Sequence, residues 1–123
     1  MHQRHMLLSS EELEHYKECT VKHAARRALE RAAPLSEQDI INHALLIRWG
    51  KSRKLGIGGG KRELHELVVK DQTFFAVFDV HMNRVVTYLR APAEWKGTLN
   101  QAGKALVKQA RICLVTATPY HGD

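Results

Sequence analysis

Apolar positions recur every three to four residues from about residue 9 to residue 49; beyond that they come in alternating or short continuous runs. The change falls near Gly50. Before it the chain is rich in Ala, Leu, Glu and Arg, and after it come β-branched and aromatic blocks. Helices first and strands second is the order of an α+β domain. The helical half spans about residues 9–49 and the strand-rich half residues 63–117, with a Gly-rich stretch between them.

Local signals place the elements. Ser9 followed by Glu12 is a capping-box pair, so a short helix is expected from about Ser10 to Glu18. Thr20 is a candidate cap for a second helix, Val21 to Ala32, which Pro34 closes. Ser36 and Asp39 open a third helix that runs to about Trp49, with Gly50 as its C′ residue. Residues 50–62, GKSRKLGIGGGKR, read as a flexible cationic connector. ELHELVVK, TFFAVFDV and RVVTYL then read as three strands of an antiparallel meander, and Pro92 ends the third. EWKGTLNQAGKALVKQA is a weaker helix interrupted by Gly97 and Gly103, RICLVTA a final strand, and TPYHGD a frayed end. The expected fold is a single α+β domain, with N-terminal helices packed on an antiparallel sheet of three to four strands.

Composition changes this picture mainly through charge. The 123 residues are 44% hydrophobic and 26% charged, as in ordinary globular chains. Nineteen Lys and Arg against thirteen Asp and Glu give a formal charge of +6, with eight His besides. Such a field favours polyanions, nucleic acid first. Cys19 and Cys113 make a poor disulfide framework, and no Cys/His cluster points to zinc, so a reducing, cytoplasmic setting without metal or cofactor is expected. The three-residue apolar run Met6–Leu8 is too short for a signal or a membrane span. GIGGGKR is not a phosphate-binding P-loop. Leu55 stands where its first Gly is needed, and Arg62 where Ser or Thr would bind magnesium.

The candidate chemistry lies on the second helix. Val21, Ala25, Ala28, Leu29 and Ala32 gather on one side of a helical wheel, and His23, Arg27 and Arg31 form a stripe on the other. A solvated face is the ordinary reading of such a stripe. A phosphate-binding ridge is the functional one, because a guanidinium forks onto phosphate oxygens. His43 sits at the edge of the apolar face of the third helix (Ile40, Ile41, Ala44, Leu45, Ile47). His65 and Glu66 are strand neighbours and so face opposite sides. Phe74, Phe75 and Phe78 are read as core.

The segment VKHAARRALERAAPLSEQDIINHALL, residues 21–46, places His23, Arg27, Arg31 and His43 at intervals of four, eight and twenty from the first. This register resembles the phage early-messenger endoribonucleases of the RegB type, within the broad group of small α+β ribonucleases that includes the RelE-type toxins. The likeness covers about a fifth of the chain. It implies a toxin-like, metal-independent endoribonuclease whose two catalytic histidines correspond to His23 and His43. In that chemistry the 2′-hydroxyl of RNA attacks the adjacent phosphate, and two histidines supply the base and the acid. Arg27 and Arg31 stabilise the transition-state charge, while Lys51, Arg53, Lys54, Lys61 and Arg62 track the RNA backbone.

The alternative is a non-catalytic phage-type host-takeover or inhibitor protein that binds an acidic host protein or nucleic acid. A DNA-binding helix-turn-helix ranks third, because its second helix carries few base-reading side chains.

Overall fold

The computed structural model describes residues 9–110. Helix α1 spans Ser10–Arg31 and helix α2 spans Glu37–Arg48. Five strands follow: β1 (Arg53–Gly58), β2 (Arg62–Val69), β3 (Gln72–Asp79), β4 (Arg84–Leu89) and β5 (Thr98–Leu99). They form one antiparallel sheet in the order β4-β3-β2-β1-β5, so the α+β architecture is as expected, with one strand more than the three to four anticipated. The stretch RICLVTA, the end TPYHGD and Cys113 lie outside the described residues.

The two expected N-terminal helices are one helix. Ser9 closes the capping box with Glu12, and α1 then continues for 22 residues. Thr20 does not cap. Its hydroxyl donates to the Tyr16 carbonyl at 2.8 Å, one turn back, which lets a Thr sit inside a helix. The buried face is also turned from the expected one. Val21, Ala24 and Ala28 are buried while Leu29 is 65% exposed. At 100° per residue this rotates the buried axis by about 50° toward the Arg stripe. Arg27 and Arg31 thereby move from the far side of the helix to its flank, where both are half-buried.

Helix α2 starts at its Ser36–Asp39 capping box and buries Ile40, His43, Ala44 and Ile47, the spacing of one helical face. These side chains join Ala24 and Ala28 of α1 and Leu67, Phe74, Ala76, Phe78, Val85 and Tyr88 of the sheet in the main core. A second apolar cluster covers the other face. It is built on Leu55, Leu64, Val77 and Val86, with Phe75, Leu89, Trp95, Leu99 and Leu106 around it.

The expected flexible connector is strand β1 and its hairpin. β1 pairs with β2 from Arg53↔Glu66 to Gly58↔Arg62. Glycine-rich sequence disguised this strand, and Trp95 is the reason for the glycines. A Cβ on Gly58 would stand 2.8 Å from Trp95 Cζ2, so the indole can lie on the strand only where side chains are missing. The expected helix over residues 94–110 is divided. Residues Pro92–Glu94 form a 3-10 turn, β5 pairs with Gly56 and Ile57, and residues 101–110 are helical. Asn100 opens that helix, its side-chain oxygen accepting from the Gly103 amide at 3.0 Å.

Candidate functional site

Helix α1 packs chiefly on β4, the edge strand. Its flank and the second face of the sheet enclose a groove of about 460 Å³. His23, Arg27 and Arg31 line it from the helix, and Arg62, Met82, Val86 and Thr87 line it from the strands and turn. The stripe read from sequence is therefore brought together on one wall, and Arg62 joins it from β2. Thr87, opposite the arginines, was missed. Its position on a strand gives no link to a helix more than fifty residues earlier in the sequence.

Each cation has a defined setting. Arg31 Nη1 donates to the Tyr88 carbonyl at 3.1 Å, which fixes the guanidinium against β4. Arg27 pairs with Glu30 one turn on, at 3.0 Å. Arg62 is held by Asp79 across the β2–β3 ladder at 3.3 Å, and that carboxylate also accepts from the Met82 amide. The groove thus combines three guanidiniums with carboxylates behind two of them. Arg31 alone of the three is anchored by a neutral carbonyl, so its charge is not offset by an anion in that contact.

His43 is not in the groove. It is 3% exposed, inside the main core on the helix side of the sheet. Its Nδ1 is 2.8 Å from the Tyr88 hydroxyl, and its ring stacks at a tilt on Phe74 with centroids 4.9 Å apart. Burial pushes the imidazole below its ordinary value, against a smaller opposing pull from Asp39. Burial likewise raises the Tyr88 phenol well above its ordinary value. His43 is thus a neutral, hydrogen-bonded core residue, as a rim position rotated inward would be. The expected pairing of His23 with His43 at one phosphate is corrected: His23 is exposed on the groove and His43 is closed off behind Tyr88.

The basic loop does not form one patch. Arg53 binds Glu66 at 2.8 Å and Lys54 binds Glu63 at 3.1 Å. Their partners alternate along β2, so the two cations serve opposite faces of the hairpin. Lys51 and Lys61 are exposed, and only Arg62 of the five reaches the groove. His65 is buried and links Ser52 (2.8 Å from Nδ1) to Glu63 (2.8 Å from Nε2). Burial opposes ionisation of Glu63, but hydrogen bonds from His65 and Lys54 outweigh it and hold the carboxyl below its usual range. This relay ties the entry of β1 to the middle of β2.

Beside the groove lies a second cavity of about 510 Å³, lined by Val77, Leu89, Trp95, Gly58 and Gly97, with Glu94 and Lys96 also contributing. Arg31, Arg62 and Thr87 line both spaces. Among the described residues no group of three His, Cys, Asp or Glu is arranged to hold a metal ion, and no helix is long and apolar enough to cross a membrane. No protein-family model, curated protein or solved structure matches the chain.

Proposed function

We propose that this chain is a cytoplasmic endoribonuclease whose reaction takes place in the α1–β4 groove. The observation that carries the proposal is the convergence of His23, Arg27 and Arg31 with Arg62 and Thr87 in one open, cationic space. A phosphodiester seated there meets guanidiniums from two directions, the arrangement that stabilises a phosphorane-like transition state. His23 accepts the 2′-hydroxyl proton as that oxygen attacks phosphorus, and the bond to the 5′-oxygen breaks to leave a 2′,3′-cyclic phosphate. The second proton transfer, from which burial removes His43, falls to the protic side chains sharing the groove. Of these, the exposed Tyr16 phenol is a stronger acid than the Thr87 hydroxyl.

The test is cleavage of a labelled single-stranded RNA and of its DNA counterpart by the purified chain. RNA is expected to be cut to cyclic-phosphate ends and DNA to be left intact, since DNA lacks the nucleophile. His23→Ala and Arg27→Ala are each expected to lower the rate by at least about a hundredfold, the scale of losing a general base and of losing one transition-state cation respectively. His43→Gln is expected to cut as the parent does. Cleavage by His23→Ala at the parent rate would overturn the assignment. Salt-sensitive binding of RNA with no cleavage by any form would instead establish a non-catalytic binding protein.

A further inference from the structure

We infer that the cavity floored by Val77 and Leu89 and walled by Trp95 is a nucleobase subsite that seats one base next to the phosphate in the α1–β4 groove. The inference rests on the proposed RNA-directed function and names which part of the RNA the second space holds. Three observations support it. The two spaces adjoin, because Arg31, Arg62 and Thr87 line both. A phosphate held by those arginines has its own nucleoside within reach of the neighbouring cavity. The cavity sets the apolar side chains of Val77, Leu89 and Trp95 beside the cations Arg31, Arg62 and Lys96, which suits a base attached to a phosphate.

The wall is also built. Trp95 is half-buried and rests on β1 only because Gly56, Gly58 and Gly97 have no side chains there. Its Nε1 lies 3.3 Å from the carbonyls of both Ile57 and Thr98, so the ring is fixed in one orientation. A rigid aromatic wall above an apolar floor accepts any base by its face, with no ordering cost paid by the protein. Glu94, the single acidic residue lining the cavity, is turned back on Arg90, its carboxylate accepting from the Arg90 amide at 2.6 Å. Its other oxygen lies 3.5 Å from the Arg90 guanidinium, so its charge is offset by that cation.

Trp95 reports on its own occupancy. In a Trp49→Phe background it is the sole tryptophan. Titration with a short single-stranded RNA is expected to quench its fluorescence. The same oligonucleotide with an abasic ribose at the position under test is expected to leave it unquenched and to bind on the order of tenfold to a hundredfold more weakly. Leu89→Arg, which fills the floor from the half-buried side of β4, is expected to erase that difference while leaving Arg27-dependent binding in place. Equal affinity for the base-bearing and abasic forms, with Arg27-dependent binding retained, would overturn the subsite and leave the groove assignment standing. Absence of any RNA binding would overturn both. Because the main readout uses Trp95 unaltered, it does not depend on how well a Trp95 variant folds.

Discussion

Replacing Tyr88 by Phe removes one hydroxyl and keeps the ring that packs on Phe74 and His43. The residue is fully buried, so water cannot take the place of the lost group. His43 Nδ1 then stands unsatisfied in the core, at a cost of about 1–3 kcal/mol. For 123 residues the unfolding entropy near 60 °C is about 260 cal/mol/K, so Tm should fall by about 4–12 °C. The pH dependence carries the sharper test. Burial lowers the folded-state pKa of His43 below its unfolded value, so the unfolded chain binds the extra proton first as pH falls. Stability due to this group is complete above about pH 6.5 and is lost as pH drops from there through the folded-state value, with a slope of at most about 1.4 kcal/mol per pH unit. His43→Gln keeps a hydrogen-bonding side chain and does not titrate. Its Tm should be flatter with pH than the parent's below about pH 6.5, and it should couple to Tyr88→Phe in a double-mutant cycle. Thermal unfolding followed by circular dichroism between pH 5 and 8 measures both. An unchanged Tm for Tyr88→Phe, or an acid slope in His43→Gln equal to the parent's, would refute the buried neutral imidazole and reopen its catalytic role.

Two further outcomes test the fold directly. Gly58→Ala should destabilise by about 1–3 kcal/mol, because its methyl group meets the Trp95 ring, whereas Gly59→Ala, with open space around it, should cost far less; chemical denaturation of the pair reads the difference. Thr20→Ala should leave stability unchanged or raise it by up to about 0.5 kcal/mol if α1 is continuous, whereas loss of a true cap would lower it by about 0.5–2 kcal/mol.

Much of the fold was legible because its signals are local. Capping boxes at Ser9 and Ser36 and the three hairpin strands each declare themselves within a few residues. The differences arise where a local signal is ambiguous or where distant residues decide the outcome. Thr20 looks like a cap until helix continuity puts its hydroxyl on Tyr16. Residues 53–58 look like a loop until Trp95, almost forty residues later, explains why Gly56 and Gly58 are glycines. At the site, the spacing of His23, Arg27 and Arg31 guaranteed a common stripe, since helical geometry alone sets it. The fate of His43 depended on which way α2 turns against Tyr88, and spacing carries no information on that rotation. Arg62 and Thr87 reach the groove only through sheet register, which forms after distant strands pair.

The contact between Arg31 and the Tyr88 carbonyl has a consequence unrelated to RNA. β4 ends the sheet, and a bare edge strand is a template on which another chain can add a strand. Helix α1 lies along that strand, and Arg31 takes up one of its carbonyls. At the opposite edge β5 contributes only two residues, too short a run to invite further pairing. Arg31 thus helps to stopper the sheet, so substitutions there are expected to raise self-association. Under the proposed function, selection for solubility and selection for phosphate binding act on the same side chain.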